Sequence, residues 1–477
     1  MGSDKHDLVV IGMGAAGLST AVSYAEAAAA QGRVGRVAVL ERSTRDERGG
    51  STRYTGSWFR VTEDRRLDPA FVEMMERVSG GLADLDYCRT LDRELPASIQ
   101  FLEDHEVEYV YFKQGLPNTN TGGGLGMPAR QGLGIVEGLA GVLERTEGVE
   151  LLYETEAVRL SVSAEGRVDG VVVRGRDGLL RTLHAEVVVI ASGGFEGNKE
   201  MMTRYLGERA CDIPVISPGT ANNRGEGIVM AVEVGADTAG QFDRFHAEPI
   251  DPRATKPDPV FYPYIYGILV NRDAQRFFDE GASSFDATFE ELGWRIWHDQ
   301  GQSAFFVGDQ TSLSVQGWEQ VVFTDVEPVR ADTIAGLAEA LGLDPAALEA
   351  TVAEYNAATD DRAFDPYSFD GKSTSGIEPP KSNWAFRIES PPYVAYPLSC
   401  AICFTFGGVR TDSQARVVSP GGTPIPGLYA AGEVTGLYYH EYPVGTSVIR
   451  GVTFGRIAGA HAAAAHAEGA RAAGAAA

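Results

Sequence analysis

Cysteine is scarce in this chain. Its 477 residues hold four, Cys88, Cys211, Cys400 and Cys403, too few for a disulfide framework or a typical set of iron–sulfur ligands. No CxxCH segment is present, so c-type haem attachment is excluded. Cys400-x-x-Cys403 lacks a thioredoxin-like unit around it and reads as coincidence. Long apolar runs are also missing. Nowhere do about 18 apolar residues follow one another, so no membrane span is expected. Positive charge is in deficit: Lys and Arg number 41 against 66 Asp and Glu, for a formal net charge of −25. Nucleic acid and anionic membrane surfaces are poor partners for such a chain. No metal site is read from the sequence. A structured segment starts by residue 7, leaving no room for a signal peptide, so a cytoplasmic protein is expected. The length exceeds one ordinary domain and predicts two.

What is present is concentrated at the beginning. Leu8, Val9, Val10 and Ile11 form a β-branched apolar run that reads as a buried parallel strand. Gly12-Met13-Gly14-Ala15-Ala16-Gly17 follows at once, then an Ala-rich helical stretch over 15–30, then a second strand over 36–40 that ends in Glu41. Strand, glycines, helix, strand and acid in this order form a dinucleotide fingerprint. Gly12 allows the tight turn, Gly14 lets backbone approach a pyrophosphate, and Gly17 lets helix and strand pack closely. The helix start offers free N–H groups to the phosphates. Glu41 accepts from ribose hydroxyls, which favours FAD or NAD over NADP.

Further small-residue turns recur along the chain. Gly49-Gly50-Ser51-Thr52 and Thr55-Gly56-Ser57 suit a cofactor lying along a loop. Residues 68–105 read as mainly helical, and Gly122-Gly123-Gly124 and Gly132-Leu133-Gly134 precede a helix over 135–143. Residues 150–184 read as a meander, and 185–191 as a second buried parallel strand that runs into Ser192-Gly193-Gly194-Phe195. From 241 the texture turns rich in Pro and aromatics. Two helices are expected between 333 and 357, with Asp344 as N-cap and Pro345 at the first helical position. After 384, Ala431-Gly432-Glu433 ends a strand, and Gly445-Thr446-Ser447-Val448 opens a long helix to about 465. The fold class is therefore α/β (α+β overall). A Rossmann-like FAD-binding domain spans 1–240 and 385–477, and 241–384 is an inserted smaller α+β capping or substrate domain.

This set of motifs resembles the FAD-dependent fumarate reductase/succinate dehydrogenase flavoprotein superfamily. The resemblance rests on GMGAAG, Glu41, Gly49-Gly50-Ser51, Ala191-Ser192-Gly193-Gly194-Phe195, Val270-Asn271-Arg272 with Arg276-Phe277, Ala431-Gly432-Glu433 and Phe454-Gly455-Arg456-Ile457-Ala458-Gly459. ILVNRDAQRFFDEG, the Tyr355-Asn356 region and PPYVAYPL look most like tricarballylate dehydrogenase flavoproteins. Tyr442-Pro443 with Gly445-Thr446-Ser447 and Thr453-Phe454-Gly455 is similar to the end of 3-ketosteroid Δ1-dehydrogenases.

The resemblance implies roles. Gly12, Gly14, Ala15, Ala16, Gly17, Glu41, Arg42 and Ser43 would hold the ADP half. Gly49, Gly50, Ser51, Thr52, Thr55 and Gly56 would lie along the pyrophosphate and isoalloxazine. Ala157 would meet adenine, and Ala191, Ser192, Gly193 and Gly194 would sit near the ribose. Gly432 and Glu433 would lie by the ribityl chain, and Thr446, Ser447 and Val448 by the flavin pyrimidine edge. Covalent members carry a His where Ser51 stands here, so non-covalent FAD is expected. The implied chemistry moves a hydride between flavin N5 and a CH–CH bond next to a carbonyl or carboxylate, while a proton moves at the adjacent carbon.

Several family positions differ. The arginine proton donor of fumarate reductases lines up with Ser284 beside Phe285, the fumarate-type His with Phe404, and the substrate-clamping Arg with Tyr442. The Thr-Glu…Arg stretch is replaced by 261–266, and the dicarboxylate clamp is largely missing. Candidates for the catalytic site are Tyr442, His246, His440 and Tyr396, with Arg60 and Arg450 as further groups. His246 would bind a carboxylate or act as base, and Tyr442 would hydrogen-bond a substrate carbonyl. The expected partners are a small-molecule substrate and an electron donor or acceptor that the sequence does not name. A di- or tricarboxylate oxidoreductase is the alternative within the class. A flavin oxidase or monooxygenase, or an electron-relay flavoprotein subunit, is the alternative outside it.

Overall fold

The computed structural model describes residues 5–112 and 124–476. Gly122 and Gly123 lie outside the described residues. Strand Lys5–Ile11 is central to the largest sheet. It pairs in parallel with Val37–Leu40 on one side and with Leu180–Ile190 on the other. Val149–Leu152 extends the first side, and Pro424–Ala430 with Arg416–Val418 the second. Leu8, Val9 and Val10 are fully buried, as a β-branched run covered on both faces must be.

The meander and the second buried parallel strand share one element. Leu180–Ile190 is a continuous strand of 11 residues. Its exposed first half pairs antiparallel with Val168–Arg174, and its buried second half joins Lys5–Ile11. Sequence texture changes midway because the environment changes, not the backbone.

Helix Ala15–Ala30 lies against the last helix, Ser447–Ala476. A Cβ on Gly455 would stand 2.3 Å from Ala16 O, and one on Gly459 2.3 Å from Thr20 O. Glycine spaced by four residues presents one bare helix face, so the two backbones meet directly.

A second, antiparallel sheet runs Phe245–Ile250, Tyr393–Thr405, Ala304–Gly308, Ile268–Val270, with Val329–Ala331 also on Tyr393–Thr405. Its longest strand therefore comes from beyond residue 384. That strand has 13 residues, enough to serve Ala304–Gly308 with its first half and Phe245–Ile250 with its second. Helix Phe285–His298 lies over this sheet, with Gly293 close against Ala247. Helices Ile334–Leu341 and Pro345–Ala358 are separated as expected. Gly342 takes φ +71°, and Asp344 accepts from Ala347 N.

Candidate active site

One long cleft runs from the carboxyl end of the parallel sheet to the edge of the second sheet. Its empty space, open mouth included, is about 1310 Å³. At the sheet end it is built from backbone and small residues. Gly12 has φ +108°, and a Cβ there would stand 2.4 Å from Ala191 O. Gly17 lies beneath, where a Cβ would be 1.9 Å from Gly12 O. Helix Ala15–Ala30 begins at Gly14 with no side-chain cap and no acid in its first turn. An uncapped, positively polarised helix end lining a cavity suits an anion. Thr52 Oγ1 accepts from Ala15 N at 3.1 Å, joining the second small-residue turn to this helix start.

Glu41 sits at the end of its strand and lines the cleft. Its oxygens accept from Ser43 N at 2.9 Å and Gly49 N at 3.3 Å. Each keeps a lone pair for a ribose hydroxyl. Arg42 donates to Asn222 O, Glu156 and Glu226 at 2.7–2.9 Å, fixing the rim. Deeper in, Glu196 and Glu433 converge on the Asn223 amide, whose Nδ2 is 2.8 Å from Glu196 Oε1, 3.1 Å from Glu433 Oε2 and 3.1 Å from Ser51 Oγ. Burial raises the pKa of both carboxyls, and for Glu196 the Glu433 charge adds to it. Such burial favours the neutral form of a carboxyl.

Behind Phe404, which lines the opposite end of the cleft, lies an aromatic and acidic cluster. His246, on strand Phe245–Ile250, is buried against Phe289, Phe404 and Tyr442. Its Nδ1 stands 2.6 Å from Glu290 Oε2 and its Nε2 3.0 Å from Glu248 Oε1. Burial alone would lower its pKa; the Glu248 and Glu290 carboxylates outweigh burial and raise it to about 10. Both ring nitrogens are donors in that state. The two carboxylates favour the protonated ring, which suits a charged, positioning His246 better than a base. Glu290 also accepts from Tyr442 N at 3.1 Å. Tyr442 Oη accepts from Thr446 N at 2.8 Å and Ser447 N at 2.9 Å, at the start of the last helix.

The FAD binding domain family model matches residues 7–448. The chain belongs to that family. A probable fumarate reductase from Shewanella frigidimarina (strain NCIMB 400) is 29% identical over 331 residues, covering 67% of this chain and 51% of that protein. A 3-oxosteroid 1-dehydrogenase from Mycobacterium tuberculosis is 29% identical over 311 residues, covering 58% of this chain and 52% of that protein. The chain thus spans about half the length of these curated relatives. The solved 3-ketosteroid delta1-dehydrogenase from Sterolibacterium denitrificans superposes with a TM-score of 0.76 at 21% identity, covering 97% of this chain and 100% of that one.

The cleft fits FAD: a bare glycine turn, an uncapped helix start for the pyrophosphate, and an acid for the ribose. Most of the predicted FAD residues line it directly: Gly12, Gly14, Ala15, Ala16, Glu41, Arg42, Gly49, Gly50, Ser51, Thr52, Thr55, Ala157, Ala191, Ser192, Gly193, Gly432, Glu433, Ser447 and Val448. Gly17, Ser43, Gly56, Gly194 and Thr446 are not on that wall. A Cβ on Gly194 would meet Thr405, Glu433 and Glu196 side chains. Thr446 is fully buried and gives its N–H to Tyr442.

Two catalytic candidates are not brought in. His440 is exposed, φ +60°, with its backbone N–H donating to Gln241 Oε1 at 2.7 Å. Tyr396 is packed on Phe261 with Arg253 over its ring. It lies eight positions before Phe404 on one strand, roughly 25 Å away at a strand's rise. Arg60 is committed to Asp68, Asp286 and Val444 O, and Arg450 to Thr435 O and Gly432 O under the Tyr438 ring. Sequence reading missed Asn223, Glu196, Glu248, Glu290 and Asp258. The doubled Asn before Gly-Glu-Gly at 222–227 was a usable signal for Asn223; the others carry no local one.

Proposed function

We propose that this protein is an FAD-dependent oxidoreductase acting on a CH–CH bond beside a carbonyl, with FAD held non-covalently. Bound FAD supplies hydride acceptance or donation. The chain supplies polarisation and orientation. Tyr442 carries the reading. Its oxygen accepts two backbone N–H groups at the start of the last helix, and in this reading its own proton goes to a substrate carbonyl oxygen. Withdrawing electron density there acidifies the adjacent C–H. His246 holds Tyr442 from the side, through ring contact and through Glu290.

The charge balance argues for a substrate less anionic than a dicarboxylate. The imidazolium is matched by two carboxylates, and Arg60 and Arg450 are already bonded within the protein. Phe404 supplies an apolar surface on the cleft wall instead, with Phe289 and Tyr262 packed behind it around His246. In this reading 1–240 and 385–477 hold FAD and 241–384 caps it, with strand Tyr393–Thr405 lent to the cap's sheet. A cytoplasmic location is proposed on the four unpaired thiols.

The test is anaerobic flavin absorbance of the purified protein against 3-ketosteroids, cyclic enones, tricarballylate, succinate and fumarate. Saturated compounds meet the oxidised enzyme and unsaturated ones the dithionite-reduced enzyme. A cyclic ketone or enone is expected to turn the flavin over, and Tyr442→Phe to slow it by roughly 10²-fold with flavin content unchanged. Turnover by succinate or fumarate alone would replace the carbonyl reading with a dicarboxylate one. Rapid oxygen consumption with substrate would point to an oxidase.

A further inference from the structure

The reading above needs a group that moves a proton at the carbon beside the one exchanging hydride, and neither His246 nor Tyr442 is free to do so. His246 has both nitrogens bound to carboxylates, and Tyr442 is assigned to the carbonyl. The remaining ionisable groups on the cleft wall sort by position. Glu41, Glu156 and Glu226 stand with Arg42 at the dinucleotide end. Glu433 is bound into the Glu196–Asn223 cluster. Burial pushes the Cys403 thiol well above its usual range, so it stays protonated. Asp258 is left.

Asp258 lies in the segment joining strand Phe245–Ile250 to the turn at Pro263–Tyr266 and lines the cleft with Cys403 and Phe404. Its position is held from both sides. Pro257 and Pro259 flank it, its N–H donates to Ile216 O at 3.1 Å, and Asp251 N donates to Pro259 O at 3.1 Å. It has φ +57°, a conformation that a non-glycine residue before proline avoids unless its surroundings impose it. The Gly56 N–H points at its carboxyl, in the turn expected to run along the isoalloxazine.

We infer that Asp258 is the proton-transfer residue of the CH–CH reaction. The inference rests on the function proposed above. In the reducing direction the Asp258 O–H bond breaks as a C–H bond forms at the carbon beside the one receiving hydride from the reduced cofactor. Asp258 is left as carboxylate and regains its proton from water. In the oxidising direction its carboxylate takes the proton as hydride leaves for the oxidised cofactor. The groups facing it are set for this. Burial and the Glu248 charge push its pKa up, while His246, the Gly56 N–H and Lys256 pull it down, and the balance lies at about 7. Such a carboxyl is available in either state near neutrality.

The test uses flavin-loaded protein. Without substrate, flavin absorbance is titrated from about pH 5 to 9. A transition near 7 is expected in the parent and its loss in Asp258→Asn. A parent transition that survives the substitution, or no transition at all, overturns the inference. With the substrate found by the panel, Asp258→Asn is expected to cut the flavin step by roughly 10²–10⁴-fold with KM and flavin content little changed. The limb near pH 7 disappears, and Asp258→Glu restores part of the rate. A twofold effect or less overturns Asp258 while the CH–CH reading stands. No panel compound turning the parent over overturns both.

Discussion

The dinucleotide end of the cleft and the aromatic cluster behind its other end are built on opposite terms. At the dinucleotide end the work is done by what is absent. Gly12, Gly14 and Gly17 leave room where any Cβ would meet backbone or Thr52, and the bare helix start leaves N–H groups for an anion. At the aromatic end the work is done by crowding. His246, Glu248 and Glu290 are buried together, and each charge is tolerated only because the others are present. The first end is set by steric fit. The second is electrostatic, so its chemistry depends on a balance that a single substitution can tip.

The sharpest way to break this comparison is at Gly17. Gly17→Val puts side-chain atoms into Gly12 O, a backbone atom that cannot yield. Flavin-loaded folded protein is expected to be lost, by the flavin-to-protein ratio, whereas Tyr442→Phe retains full flavin. Normal loading of the Gly17 variant would refute the steric account.

Next in size is Glu290→Ala. It strips His246 and Tyr442 N of a shared acceptor and is expected to cost about 3–5 kcal/mol in denaturant unfolding, again with flavin retained. A neutral result would mean the trio is not coupled.

A smaller effect is in pH. His246 has a folded pKa of about 10 against an ordinary 6.5. Its stabilisation is therefore complete below about 6.5 and is lost as pH rises through about 10. Asp258 at about 7 against 3.8 acts with the same sign over the lower window. Unfolding free energy should decline from acid to alkaline pH, with the upper part of the decline absent in His246→Gln. A rising profile would contradict the imidazolium assignment. Smallest of all, His440→Ala and Tyr396→Phe should leave turnover within about twofold, and His440→Ala should leave stability within about 0.5 kcal/mol. A large loss of turnover in either would enlarge the site.

The sequence by itself determined the dinucleotide end because its contacts are local. Gly12 and Gly17 meet across five positions, the strand and helix flanking them follow from periodicity, and Glu41 closes the unit within one strand–helix–strand passage. The last helix was legible from its opening at Gly445-Thr446-Ser447-Val448 and the Ala-rich run that follows, whereas the close packing of Gly455 and Gly459 on Ala16 and Thr20 came from the structure. What only the tertiary structure decided is the charge state and grouping of the other end. Residues 56, 246–262, 290, 403 and 442 converge there from five separate segments. Whether a histidine is a base or a locked cation depends on which carboxylates reach it, and Glu290 is 44 positions from His246. Composition marks such residues as ordinary surface acids. Only the fold, by burying them together, makes His246 a fixed charge and turns Asp258 toward the cleft.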